Sequence, residues 1–408
     1  MSQNICDALK HGQFCPPTED CTNCGNNSQC NLCDPELNAL KFRTSSIISP
    51  SLTNMITPLQ FATKKNYLSS LSPQIQKLPD NWSWRDKGGN QISVVRNQAD
   101  CGSCWAFSST TALADRFGIK YNIEAPELSP FYTMQFIGPN TNISAECQCS
   151  FGGSVAVAGC GFATQGVALE KCYPYIRTCL STDMTNINCC DKNEAKILFR
   201  AVPKSTKALV VFDDNNDVNV ESTIELVKRN IITFGPVCAS FYDSDSFTTY
   251  WNRLLNIGYE ASKPWVPKVS SSPGGHAVVI TGWGKEKNGD EFWEVRNSWG
   301  INGKSDGYFK YKIIPNDHCF LVIPQISGNS IFGGVITFDA GKLPTDYKTK
   351  PASKERTKNV NYGPTSSSPA PSKSFFQKNK IIILIIAIIT ILAIVLLVIM
   401  LLTLKKHK

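Results

Sequence analysis

Asn97-Gln98-Ala99-Asp100-Cys101-Gly102-Ser103-Cys104-Trp105-Ala106-Phe107-Ser108 sets a cysteine just ahead of a run with helical spacing, Ala112, Leu113 and Phe117. Cys104 is therefore expected at a helix N-terminus, where the partial positive charge of the first turn favours thiolate over thiol. The thiolate is the nucleophile, so this placement supplies a reactive sulfur. In isolation Cys104 would read as half of a structural disulfide, because a nucleophilic sulfur needs an imidazole partner. The chain holds four histidines. His11 lies in a cysteine-rich head and His407 at the far C-terminus, which leaves His276 and His318. His276 sits in Gly274-Gly-His-Ala-Val-Val-Ile-Thr-Gly-Trp-Gly284, an apolar strand pattern flanked by glycines. Twenty-one residues on, Glu294-Val-Arg-Asn-Ser-Trp-Gly300 offers an amide, Asn297, to orient the ring.

These three segments, in this order, resemble those of papain-like cysteine peptidases, whose nucleophile signature is C-G-[SA]-C-[WY]. Leu78-Pro-Asp-Asn-Trp-Ser-Trp-Arg-Asp86 is similar to the mature N-terminus of that family. The resemblance implies an α+β fold of two lobes, a helical left domain facing a β-barrel right domain across a substrate cleft. It implies Cys104 as nucleophile, His276 as acid and base, and Asn297 as the group that fixes the imidazole. It also implies Gln98 as an oxyanion donor, Trp299 as a shield over the ring, and Gly152-Gly153 as the edge that holds an extended peptide. Cys101 would pair with Cys149, and Cys147 with a cysteine near Cys179. No cofactor is expected.

Several departures narrow this. GGHA, Asp317-His-Cys-Phe320 and the long interval from Cys104 to His276 look closer to the cathepsin-B-like branch. No adjacent histidine pair follows Tyr173-Pro-Tyr175, so dipeptide-releasing activity is not expected. Residues 319–325 carry no acid, which points to an apolar preference two residues before the cut. The second Trp that the family places after its Asn-Ser-Trp is missing.

Outside the peptidase-like region, the formal charge of +8 is confined to one end: residues 342–408 hold twelve basic and two acidic residues. The body is therefore close to neutral, and a nucleic-acid-binding surface is not expected. Residues 1–40 form a cysteine-rich segment in which Cys21, Cys24, Cys30 and Cys33 make two CxxC units. Disulfides and a structural zinc both fit that spacing, and the segment's partner is unknown. Residues 41–77 read as a linker or short propeptide-like segment, 78–340 as the peptidase domain, and 341–380 as a low-complexity basic stalk. Residues 381–404 are apolar on every face and, at about 36 Å, long enough for a transmembrane helix; 405–408 form a basic tail.

The expected protein is thus a membrane-anchored cysteine endopeptidase. It would hydrolyse peptide bonds through a Cys-His-Asn site and a thioester acyl-enzyme, with polypeptides as substrates and the lipid bilayer as a further partner. Its expected location is a membrane, single-pass with a C-terminal anchor, of viral or endomembrane origin. The alternative is a catalytically silent papain-fold binding or structural membrane (virion) protein.

Overall fold

The computed structural model describes residues 60–61, 77–99, 101–137, 152–175, 190–215, 217–268, 274–327 and 330–355. The head with Cys21, Cys24, Cys30 and Cys33 lies outside them, as do Cys147, Cys149, Cys179 and the apolar stretch 381–404. Four helices of eight residues or more are described: α1 (Cys104–Tyr121), α2 (Val155–Thr164), α3 (Val220–Phe234) and α4 (Asp245–Ile257). The main sheet has eight strands. They are β1 (Gln60–Phe61), β2 (Trp82–Ser83), β3 (Lys207–Ala208), β4 (Val237–Asp243), β5 (Gly274–Lys285), β6 (Glu291–Arg296), β7 (Tyr308–Lys312) and β8 (Gly334–Thr337).

Strand order is β1-β3-β8-β4-β5-β6-β7, with β2 paired on β5. Among the described residues the two ends of that path, β1 and β7, are not paired with one another, so the described sheet is open. The closed β-barrel expected for the right-hand lobe is therefore corrected to an open sheet. Closure needs a continuous ladder around the whole ring, and here the outermost ladder is a two-residue parallel contact between β1 and β3.

β5 organises the interior. Successive side chains of a strand point to opposite faces, and β5 is apolar on both. Val278 and Ile280 join a cluster with Leu226, Val227 and Ile231 of α3 and Phe247, Trp251 and Leu254 of α4. Ala277 and Val279 join a second cluster with α1 and with Ala158 and Phe162 of α2. One strand thus divides two hydrophobic cores. Gly282 marks where β2 crosses: a Cβ there would meet the Trp82 carbonyl oxygen at 2.1 Å.

α1 is buried almost all round, with fifteen of its residues enclosed. Its hydroxyls are satisfied within the helix. Ser109 donates to the Trp105 carbonyl, Thr110 to Ala106 and Thr111 to Phe107, each at 2.7 Å. Asn122, in the left-handed region at φ 53°, ends the helix.

After β8 the chain crosses the far end of α1. Lys120 Nζ donates to the Ala340 carbonyl at 2.6 Å and Tyr121 Oη to that of Gly341 at 2.7 Å. Farther on, Glu124 N meets Lys350 O at 2.9 Å and Asn90 N meets Ser353 O at 3.0 Å.

Among the described residues no helix is long and apolar enough to cross a membrane. The longest, α1, carries Asp115, Arg116 and Lys120 and packs inside a protein core, not in lipid. The expected transmembrane helix, the lipid bilayer as partner and the single-pass membrane location find no support among the described residues and are not carried further; residues 381–404 lie outside them.

One disulfide joins Cys172 to Cys190 with an S–S distance of 2.09 Å; the sequence left both unassigned. Cys101 is disulfide-bonded, and its expected partner, Cys149, is outside the described residues. Cys160, Cys238 and Cys319 are thiols.

Candidate active site

Cys104 opens α1, as its sequence position predicts, and is a thiol with 4% of its surface exposed. Opposite it runs β5. The alternation that sends Ala277 towards α1 sends His276 the other way, towards the aromatic core. The Ala277 amide favours the Cys104 thiolate, which places the sulfur near the residue next to His276.

His276 is 3% exposed. Its Nε2 lies 2.8 Å from Asn297 Oδ1. That oxygen also accepts from the Ser298 amide at 2.8 Å. Oδ1 can only accept, so Nε2 carries the proton and Nδ1 is left with the lone pair. Trp299 stacks on the imidazole with centroids 4.8 Å apart and planes 30° from parallel. Phe241 of β4 and Phe247 of α4 complete the cage at 5.7 and 6.3 Å. Asn297 Nδ2 is buried and has no hydrogen-bond partner among the described residues.

Gln98 stands before α1, 6% exposed. Its Nε2 donates to the Cys101 carbonyl at 2.8 Å, and its Oε1 accepts from Ser298 Oγ at 2.5 Å. Its own carbonyl accepts from Tyr175 Oη at 2.9 Å, and Tyr175 Oη is also 2.8 Å from Ser103 Oγ. Gly152 has φ +68°, and a Cβ on Gly153 would stand 2.2 Å from the Trp105 indole. The glycine pair therefore lies flat on the residue that follows the sulfur.

Burial dominates the electrostatics. It pushes the Cys104 thiol up to about 11, with the amides of Ala277, Trp105 and Cys104 opposing and Asp243 adding to the rise. The helix N-terminus therefore acts in the expected direction but is outweighed by desolvation. Burial also holds His276 below its ordinary value, against the opposing influence of Asp243 and the Asn297 hydrogen bond. Either charge alone is disfavoured in so dry a place.

His276, Asn297 and Trp299 thus come together, Gln98 joins them through Ser298, and Cys104 approaches at Ala277. No direct contact between the Cys104 sulfur and the His276 ring is seen among the described residues, so the complete Cys-His-Asn site expected from the sequence is not shown. Sequence reasoning did not single out Ser298, Ser103, Tyr175 or Asp243. Ser298 sits next to Asn297, and Tyr175 ends the Tyr173-Pro-Tyr turn, yet neither pattern reveals a partner that lies far away in the chain. Among described groups of metal-ligating residues, Cys172, Cys190 and Glu194 cluster, but the two sulfurs are bonded to each other.

Residues 78–326 match the family described as Papain family cysteine protease. The chain is 28% identical over 267 residues to Cathepsin B-like cysteine proteinase 3 of Caenorhabditis elegans, covering 63% of this chain and 66% of that one. It is 26% identical over 252 residues to Procathepsin L of Rattus norvegicus, covering 61% and 65%. It is also 27% identical over 342 residues to Probable cysteine proteinase 024R of Invertebrate iridescent virus 3, covering 69% and 67%. The matches span just under two thirds of the length of the first two relatives. Among solved structures, proCathepsin B S9 from Trypanosoma congolense aligns with a TM-score of 0.49 and 20% identity, over 83% of this chain and 97% of that one. Relatives of both the cathepsin B and cathepsin L kinds replace the expected leaning towards the B-like branch with a mixed likeness.

Proposed function

The chain belongs to the papain family of cysteine proteases, and on that premise we propose that it cleaves polypeptides at the site built around Cys104. Family membership and likeness to cathepsins support cysteine-type endopeptidase activity. The observation that carries the reading is the buried, unpaired thiol of Cys104 against the β5 segment whose His276 is tied to Asn297.

In the proposed reaction, the Cys104 proton moves to His276 Nδ1 as Sγ attacks the scissile carbonyl carbon. The carbonyl π electrons pass to oxygen. That oxyanion meets the Cys104 backbone N–H and the second hydrogen of Gln98 Nε2, the first being held by the Cys101 carbonyl. When the C–O double bond re-forms, the C–N bond breaks and the leaving nitrogen takes the proton from His276. This leaves a thioester on Cys104. Water then gives a proton to His276, its oxygen attacks the thioester, and the C–S bond breaks to release the acid and restore the thiol.

Asn297 and Trp299 keep the imidazole in one orientation throughout, and Gly152-Gly153 offer backbone groups to an extended substrate. The absence of an acid in residues 319–325 supports an apolar side chain two residues before the cut.

The test is labelling with an epoxide warhead that alkylates activated thiolates, comparing the parent with Cys104→Ala. Labelling of the parent alone, together with hydrolysis of a peptide substrate, is expected. Equal labelling of both proteins, or a parent that takes no label and cleaves no peptide, would leave the silent-scaffold alternative standing.

A further inference from the structure

Resting on that reading, we propose that Asp243, at the end of β4, is a positioning residue whose carboxylate sets the charge balance of the Cys104–His276 pair. The sheet register puts it there. β4 and β5 run antiparallel with Phe241 opposite His276 and Asp243 opposite Gly274. Val237, Ala239 and Phe241 all face the aromatic core, so Asp243, two residues on, shares their side of the sheet. His276 faces the same side, as its ring contact with Phe241 requires. Asp243 and His276 are therefore diagonal cross-strand neighbours, a separation of roughly 7–8 Å between such positions. The opposing residue, Gly274, has no side chain to stand between them.

Another carboxylate nearby, Asp317, acts on Cys319 and is held by Tyr311 Oη at 2.6 Å and the Leu321 amide at 2.8 Å. From α1 the pair meets Cys104 itself. From α4 it meets the Phe247 ring, and from the segment after β6 it meets Asn297 and the Trp299 ring. Arg296 is engaged by Asp115 at 2.7 Å. Tyr175 Oη is engaged by Ser103 and Gln98. Cys319, whose carbonyl accepts from Tyr242 N at 2.9 Å, also lies within reach of Asp243 and is a thiol. Asp245, in the first turn of α4, is exposed.

A negative charge at Asp243 raises the proton affinity of both members of the pair. The sign of its effect is distinctive. A carboxylate on this side favours the imidazolium, extending activity to higher pH. It also opposes the thiolate, so that activity begins at higher pH. Removing it moves both limbs of the pH–activity bell towards acid and does not narrow the bell.

The experiment measures kcat/KM against pH, and the pH dependence of Cys104 alkylation, for the parent, Asp243→Asn and Asp243→Glu. Expected for Asp243→Asn is displacement of both limbs to lower pH, with a several-fold loss of kcat/KM on the alkaline flank, and return towards the parent in Asp243→Glu. Unmoved limbs, whether or not overall activity falls, would overturn the proposal, since a packing role lowers the curve without shifting it. Asp243→Ser, smaller and neutral, takes the place of Asp243→Asn if the amide fails to fold. A parent that neither cleaves nor alkylates would instead refute the function proposed above.

Discussion

The two walls of the candidate site satisfy their polar groups in different ways. On the α1 wall, Ser109, Thr110 and Thr111 each donate to a carbonyl four residues earlier, so the hydroxyls are satisfied within the helix. On the β5–β6 wall the partners are distant in sequence. Thr281 donates to Glu294 at 2.7 Å, and Ser83, 211 residues from Glu294, donates to the same carboxylate at 2.9 Å. The hydroxyls of the wall bearing the nucleophile are thus satisfied locally, and those of the wall bearing the imidazole by residues distant in sequence. The helix start places the thiol, whereas which imidazole nitrogen holds the proton is set by a tertiary contact, the Asn297 hydrogen bond.

The largest expected effect comes from the tie between the walls. Asp115 of α1 and Arg296 of β6 are 0% and 2% exposed at the side chain and form an ion pair at 2.7 Å. Arg296 also donates to the Ser93 carbonyl at 2.9 Å, and Asp115 accepts from the Ser93 amide at 2.7 Å. Arg296→Ala leaves a buried carboxylate without its counter-charge and is expected to cost about 3–5 kcal/mol in denaturant unfolding. A loss below about 1 kcal/mol would mean that the walls are held by packing alone.

Next is Gln98→Ala, which removes the proposed oxyanion donor and its Ser298 anchor. A fall of about 100- to 1000-fold in kcat is expected, with KM changed little, and steady-state kinetics read the split. A third, smaller effect separates the walls in energetic terms. Thr281→Val takes a charge-assisted donor from buried Glu294 and should destabilise by about 2 kcal/mol. Thr110→Val, its counterpart on the helix, should cost only about 1 kcal/mol or less. If the two valine variants unfold at the same denaturant concentration, the contrast between local and distant satisfaction fails.

The same contrast explains what the sequence made legible. Helical spacing after Cys104 indicates where α1 begins, and the structure starts it there. The apolar alternation around His276 likewise identifies β5 as a strand. Sheet closure was not legible, because strand alternation is the same in an open sheet and in a barrel, and only the pairing of the outermost strands distinguishes them. Asp243 gave no signal either: on β4 it is one polar residue at a strand end, and its meaning depends on a register with a strand more than thirty residues away. Nor does low-complexity composition after residue 341 indicate that Ile123 pairs with Pro351. Family motifs carried the site where composition could not, and they were least informative about the second Trp that this chain lacks.

The crossing of residues 338–355 over the tail end of α1 has a practical corollary. A helix of 18 residues spans about 27 Å, and the sulfur lies at its opposite tip. A fluorophore or surface tether attached at Glu355 would therefore sit a full helix length from the cleft. It could report on immobilised turnover without crowding the incoming peptide.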